Sequence, residues 1–124
     1  AAAEAYYKRT KIFPIMHVLG VRKELANRHP FLPGALLKAF TEAKAMALDA
    51  LLDVSATKVT LPFVEESLGR ARALMGEDFW SYGLKPNAHV LDTFLDAHYR
   101  QGLSSRRLQP EDLFHPASLE TYAL

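Results

Sequence analysis

The stretch RTKIFPIMHVLGVR, residues 9–22, contains the longest nearly unbroken apolar run in the chain. Only Pro14, His17 and Gly20 interrupt that run, and its other residues are mostly the β-branched or bulky types that suit a pleated, buried surface. Pro14 lacks a backbone N–H, so it excludes a helix and belongs at the start or the edge of a strand. A strand that is apolar on both faces lies in a sheet covered on both sides. The stretch therefore predicts a buried strand from about Pro14 to Val21.

The rest of the chain predicts helices and offers this strand no convincing partner. We expect helices over residues 1–8 and 22–28, from Pro30 to about Leu51, from Pro62 to Gly76, from Asn87 to Gly102 and from Pro110, with one further turn after His115. The clearest apolar stripe at helical spacing comprises Leu36, Leu37, Phe40, Ala43, Ala47, Leu48 and Leu51. A lone buried strand among helices is not a complete architecture. The predicted fold class is therefore mainly α with one or two strands. We expect residues 1–124 to form a single unit that is part of a larger α/β protein. Alternatively, the strand pairs with the strand of a second copy of the chain.

Composition and charge exclude several classes of protein. The 124 residues are 49% hydrophobic, and 15 Lys and Arg against 14 Asp and Glu leave a net charge of +1, so neither disorder nor binding to nucleic acid or an anionic membrane is expected. The absence of cysteine removes disulfides, thiolate metal sites and a cysteine nucleophile. No apolar run approaches the ~18 residues of a membrane span, and no export leader opens the chain. Because the first residue is Ala1 and not Met, we expect the natural chain to begin earlier, with or without an export signal.

The polar residues give few signals for chemistry. No G-x-G-x-x-G, G-K-S, G-K-T or H-E-x-x-H occurs. His89, Asp92 and Asp96 share one helical face, but exposed polar residues at that spacing are usually a solvated surface, and we predict no metal site. His17 has two interpretations: a core histidine hydrogen-bonded to the backbone, which is the commoner fate, or a proton donor and anion partner at the end of a buried strand.

Two further groups of residues also have more than one interpretation. Arg9 and Arg22 flank the predicted strand, and each could hold a carboxylate through two parallel hydrogen bonds, although flanking arginines are usually surface residues. Phe79, Trp80 and Tyr82 form the densest aromatic cluster. Their rings either anchor an irregular loop against the nearest lobe, the interpretation we prefer, or wall a site for an aromatic ligand.

Four segments in one order carry a family resemblance: RTKIFPIMHVLGVR at 9–22, RHPF at 28–31, LMGEDFWSYGLKPN at 74–87 and FLDAHYRQGLS at 94–104. Together they resemble the C-terminal part of the 4,5-dihydroxyphthalate decarboxylase family, and they extend over nearly all of the chain. The resemblance covers roughly the last third of a family member, which agrees with the missing sheet. It implies the fold of type 2 periplasmic solute-binding proteins, in which two α/β lobes enclose a ligand cleft. The first of the four segments would then cross from the second lobe to the first beside that cleft.

The resemblance also implies an activity, the non-oxidative loss of one carboxylate from 4,5-dihydroxyphthalate to give 3,4-dihydroxybenzoate and carbon dioxide in aromatic catabolism. This reaction needs a general acid for the ring carbon, hydrogen-bond partners for the catechol oxygens and a cation for the retained carboxylate. His17 is the predicted catalytic acid, Arg9 the predicted carboxylate partner, and Phe13 and Met16 the predicted walls of the substrate site. No organic cofactor is required in principle, and a divalent metal would take ligands from outside this segment.

A binding protein is the rival interpretation of the same fold. An exported substrate-binding protein of an ABC-type transporter would capture an aromatic or carboxylated ligand in the same cleft, and a leader peptide in the full gene would decide for it. The enzyme is expected in the cytoplasm and the binding protein in the periplasm. The predicted partner is a small aromatic dicarboxylate, and the sequence leaves open whether the protein forms a homo-oligomer. We expect the isolated chain to be inactive, because half of the cleft would be absent.

Overall fold

The computed structural model describes residues 2–55 and 59–119. These residues form five α-helices followed by two short 3-10 helices: α1 (Ala2–Thr10), α2 (Lys23–Arg28), α3 (Leu32–Leu52), α4 (Val64–Met75), α5 (Leu84–Arg100), Pro110–Leu113 and Pro116–Ser118. No strand is formed within the described ranges, and none of their helices is long and apolar enough to cross a membrane. The mainly helical class predicted from the sequence is therefore confirmed. Residues 120–124 of the predicted last turn lie outside the described part of the chain.

Glycines in the left-handed region end two of the helices where the sequence predicted their ends. Gly76 has a φ of 94° directly after α4, a conformation that other residues adopt only with strain. After α5, Gly102 has a φ of 72°, and the amides of Gly102 and Leu103 donate to the carbonyls of Tyr99 and His98 at 2.9 and 3.1 Å. This pair of hydrogen bonds is the Schellman arrangement that satisfies the last carbonyls of a helix.

The start of α5 corrects the predicted N-cap. The helix begins at Leu84 after Gly83, so Asn87 lies inside its first turns instead of capping it. The Nδ2 group of Asn87 donates to the carbonyls of Ser81 at 3.1 Å and of Gly83 at 2.8 Å. Pro86 is tolerated because the first amides of a helix have no partner within it. Asn87 therefore ties the preceding loop to the helix.

The predicted strand from Pro14 to Val21 is not formed in this chain. Residues 11–22, which we call segment 11–22, are in neither helix nor strand, and among the described residues none of the amides of 13–21 donates a hydrogen bond. Its side chains are largely exposed, with Met16 at 62% and Val18 at 74%. A strand needs a neighbour to pair its N–H and C=O groups. No described residue supplies one, and that is why the apolar run stays unpaired.

The chain buries little of its own apolar surface. The hydrophobic side chains that are buried are Ala26, Leu68, Leu84, Leu91 and Leu95. The total accessible surface is 9524 Å², whereas a compact monomer of this mass is expected to expose about 6,700 Å². Helix α3 packs against α4 and the second 3-10 helix, and α5 packs against the first 3-10 helix. Even so, Phe40 in the apolar stripe of α3 is 46% exposed. These apolar faces are left uncovered by the described residues.

Candidate functional site

The end of α1 leads directly into the predicted site and is fixed by polar contacts. The hydroxyl of Thr10 donates to the carbonyl of Tyr6 at 2.9 Å and accepts from the amide of Ile12 at 3.2 Å. The carbonyl of Thr10 lies 3.1 Å from Nε2 of His89 on α5, so α1 and α5 meet at this point. The next residue, Lys11, has a φ of 57° and turns the chain sharply. The first residues of segment 11–22 therefore leave the helix in a defined direction.

Arg9 lies in the last turn of α1, beside this exit. Its guanidinium carbon is 5.7 Å from the centre of the Tyr6 ring, within the range of a cation–π contact. The side chain is exposed, and no described carboxylate forms an ion pair with it. The structure thus shows one contact of the Arg9 guanidinium within the described residues, the one with Tyr6.

His17 and Met16 lie in the exposed middle of segment 11–22. Neither of them forms a hydrogen bond or a ring contact with the residues described here. The core interpretation of His17 is therefore not realised within this chain, and nothing in it tests the interpretation as a proton donor. The structure does not bring Arg9, Met16 and His17 into mutual contact, so their roles stay predictions.

Phe13 is the predicted site residue with a clear tertiary contact. Its ring centre is 5.7 Å from that of Trp80, and the two planes meet at 59°. This tilted arrangement is one of the geometries that aromatic pairs favour. Both rings remain partly open, at 41% exposure for Phe13 and 42% for Trp80. The contact joins segment 11–22 to residues 77–83, which we call the aromatic loop.

Lys44 of α3 fastens the aromatic loop. Its ammonium group donates to Oδ1 of Asp78 at 2.7 Å and to the carbonyl of Trp80 at 3.1 Å, and it lies 4.8 Å from the centre of the Tyr82 ring. Only 15% of the Lys44 side chain is exposed, whereas Asp78 is 62% exposed. Lys44 is therefore largely withdrawn from water, while its ion pair with Asp78 stays open to solvent and to screening by salt on the side of the carboxylate.

Sequence reasoning missed both Lys44 and Asp78. The available signal was the position of Lys44, which follows Phe40 by four residues and precedes Leu48 by four, inside the apolar stripe of α3. A charged residue at such a position has to reach a partner or water. Asp78 had no comparable signal, because a carboxylate in a loop is normally solvated.

The acidic face of α5 serves a structural purpose. The guanidinium of Arg107 donates to Asp92 at 2.7 Å and lies 3.5 Å from Asp96, on the same face as His89. The hydrogen bond to Asp92 raises the pKa of Arg107 above its usual value, against the opposing effect of partial burial. Within residues 2–55 and 59–119, no group of three or more His, Cys, Asp or Glu side chains is placed to hold a metal ion. This face holds the chain that follows α5 in place.

The surface also has a shallow depression of about 240 Å³ between the end of α3 and the start of α4. Apolar side chains such as Leu51, Leu61 and Phe63 line it, and none of the four predicted site residues does. We therefore place the candidate site at the junction of segment 11–22 with the aromatic loop, where the partly exposed rings of Phe13 and Trp80 meet and where His17 and Arg9 belong to neighbouring stretches of chain.

Comparison with known proteins gives one close relative. No protein-family model matches the chain. The chain is 64% identical over 123 residues to a 4,5-dihydroxyphthalate decarboxylase of Comamonas testosteroni. The similarity covers 99% of this chain and 37% of that protein, so the chain spans about a third of the length of the relative that it matches. The four motifs and this relative therefore agree on the family that the chain resembles and on the extent of the resemblance.

Proposed function

We propose that this chain is the C-terminal segment of a two-lobed decarboxylase that acts on 4,5-dihydroxyphthalate or a closely similar aromatic dicarboxylate in the cytoplasm. The observation that carries the proposal is the 64% identity over 123 residues to a protein of that name. The name of this relative favours the enzyme over the transporter-associated binding protein. The large exposed apolar surface supports the two-lobed arrangement, because it leaves faces for the rest of such a protein to cover.

The chemistry assigns a role to each predicted residue. A proton is delivered to the ring carbon that bears the departing carboxylate, and the hydroxyl para to that carbon supplies electron density to the dearomatised intermediate. The bond to the carboxylate then breaks, its electrons restore the ring, and carbon dioxide leaves. His17 would deliver the proton, and Arg9 would hold the retained carboxylate. Phe13 and Met16 would lie along the ring of the substrate.

The exposure of His17 and Met16 fits a cleft whose other half is supplied by the second lobe. In the 124-residue chain alone, water surrounds both side chains, and a proton donor in open water loses the preorganised environment that catalysis needs. We therefore expect no carbon dioxide release from the isolated chain. The same assay with the longer protein provides the comparison.

The direct test is carbon dioxide release by the full-length protein over a panel of hydroxylated phthalates. We expect the fastest release with 4,5-dihydroxyphthalate, and slower release with analogues that lack the hydroxyl para to the departing carboxylate. Tight binding of these compounds without any release would contradict the decarboxylase and favour the solute-binding protein.

The role of His17 has its own test in the full-length protein. Substitution His17→Gln removes the proton donor but keeps a side chain that can hydrogen-bond, so we expect kcat/KM to fall by about a hundredfold or more. The thermal melting temperature of His17→Gln, compared with that of the wild type, separates loss of the proton donor from loss of folding. A loss within about threefold for His17→Gln would remove His17 from the role of general acid.

A further inference from the structure

We propose that Trp80 forms the aromatic wall of the substrate site together with Phe13, and that Lys44 is the positioning residue that holds Trp80 there. This inference rests on the proposed function in one respect, since it takes segment 11–22 to border the cleft. Trp80 would select for a flat aromatic ring over a saturated ring that carries the same carboxylates.

The geometry of the Phe13–Trp80 pair favours a wall of a ligand site over a simple anchor of the loop. A tryptophan that only anchors a loop is usually well buried, because its large ring contributes most when it is removed from water. Trp80 instead keeps 42% of its surface exposed, and its partner Phe13 keeps 41%. Their planes meet at 59°, so the two rings do not cover each other face to face. Aromatic surface remains open beside the predicted site.

The backbone of the aromatic loop is held from two sides. Lys44 binds the carbonyl of Trp80 and the carboxylate of Asp78 from the side of α3. From the side of α5, Asn87 binds the carbonyls of Ser81 and Gly83. These contacts hold the carbonyls of Trp80, Ser81 and Gly83 and the side chain of Asp78, and they leave the indole ring partly open. A fixed backbone with an open ring suits a stacking residue, because little backbone freedom is then lost on binding.

The expected ligand follows from this arrangement. A benzene ring with neighbouring carboxylates would stack on the indole of Trp80, and under the proposed function Arg9 would bind its charges. A cyclohexane ring with the same two carboxylates offers the same charges without a π face. The preference for the aromatic compound therefore measures the contribution of the wall separately from that of the cation.

The test compares the dissociation constants of phthalate and of cis-cyclohexane-1,2-dicarboxylate, measured by calorimetry on the full-length protein. We expect the wild type to prefer phthalate and Trp80→Leu to reduce that preference about three- to tenfold by weakening phthalate binding alone. Trp80→Phe keeps a smaller ring and should reduce the preference only about twofold. The control Phe94→Leu changes an exposed ring on α5 and should leave the preference unchanged.

The role of Lys44 is tested in the same assay. Lys44→Met removes the contacts that fix the loop and should lower the preference for phthalate, whereas Lys44→Arg keeps a cation beside Asp78 and Tyr82 and should restore most of it. Equal weakening of both ligands by Lys44→Met would show that the lysine supports the fold only. The thermal melting temperature of each variant separates this outcome from unfolding.

Several results would overturn the proposal. A wild type that binds neither compound or has no preference between them contradicts it, and so does an unchanged preference in Trp80→Leu. If Trp80→Leu does not fold, Trp80→Phe decides, with an expected reduction of about twofold and an unchanged preference as the contrary result. Binding needs no turnover, so the two proposals can fail separately. A preference that changes in Trp80→Leu without carbon dioxide release by the wild type would support the aromatic wall and contradict the decarboxylase. Carbon dioxide release with an unchanged preference would support the decarboxylase and contradict the wall.

Discussion

Two regions of the molecule differ in the contacts that they form within the chain. One is helix α5 with the turn that follows it, and the other is segment 11–22. Leu84, Leu91 and Leu95 are buried on α5. Arg107 reaches back to Asp92 and Asp96, which are 15 and 11 residues away in sequence. Segment 11–22 is equally apolar in character, but it contains no buried side chain and, in the part of the chain that is described, no paired amide from 13 to 21.

The difference teaches that apolar sequence specifies a structure only when its partner is present. Contacts within α5 and its following turn close short loops, and short loops cost little conformational entropy. A buried strand instead requires neighbouring strands and covering helices from distant parts of a protein. Segment 11–22 therefore carries the sequence of a strand without the conditions for one.

Amide hydrogen exchange would show the largest difference between the two regions. In the 124-residue chain, we expect the central amides of α5 to exchange at least about a hundredfold more slowly than those of residues 13–21, because only the former are hydrogen-bonded. In the full-length protein, residues 15–19 should become protected as they enter a sheet. Equal and fast exchange in both regions of the short chain would show that α5 does not hold on its own.

Truncation of buried and exposed leucines should give the next largest effect. Leu95 is 3% exposed, and we expect Leu95→Ala to lower the free energy of unfolding by about 2–5 kcal/mol. Leu103 follows the same helix and is 65% exposed. Leu103→Ala should therefore change the free energy of unfolding by less than about 0.5 kcal/mol. Urea denaturation followed by circular dichroism measures both.

The same experiment on segment 11–22 sharpens the comparison. Leu19 is 60% exposed, so Leu19→Ala should change the stability of the short chain by less than about 0.5 kcal/mol. In the full-length protein, we expect a loss of about 2–5 kcal/mol, because the side chain would be buried there. An effect of less than about 0.5 kcal/mol in both proteins would contradict a buried strand in the complete fold.

The smallest effect concerns the turn after α5 and depends on pH. The amide of Gln109 and the guanidinium of Arg106 donate to Oδ2 of Asp112 at 3.0 and 2.9 Å, and they lower the pKa of this carboxyl below its ordinary value of 3.8. A carboxyl whose pKa is lower in the folded than in the unfolded state stabilises the fold at a pH above its unfolded-state pKa. That stabilisation is lost as the pH falls through its folded-state pKa.

Asp112→Asn should therefore lower the melting temperature at neutral pH, and the difference from the wild type should vanish as the pH falls through the lowered pKa of Asp112 in the folded state. The control is Asp49→Asn on α3, because this exposed carboxylate forms no ion pair with any described residue. A difference that persists unchanged into acid would mean that the ionised carboxylate is not its cause.

The sequence predicted the features whose causes lie within a few residues. The apolar stripe of α3 and the glycines after α4 and α5 act locally, and the helices they predicted are confirmed. The predicted start of α5 at Asn87 was wrong, because Asn87 forms its hydrogen bonds with the loop before the helix. Lys44 escaped notice because its partners lie 34 and 36 residues further along the chain. The roles of Arg9, Phe13, Met16 and His17 stay predictions.

Pro14 and Gly20 have a further consequence while the partner strands of segment 11–22 are absent. Exposed apolar residues with unpaired amides can template strands from other molecules, and fibrils form most readily from runs of about six or seven residues without proline. Pro14 and Gly20 limit the run between them to five residues, IMHVL. Pro14 and Gly20 therefore weaken the tendency of the segment to pair with strands of other molecules at both ends of its apolar centre.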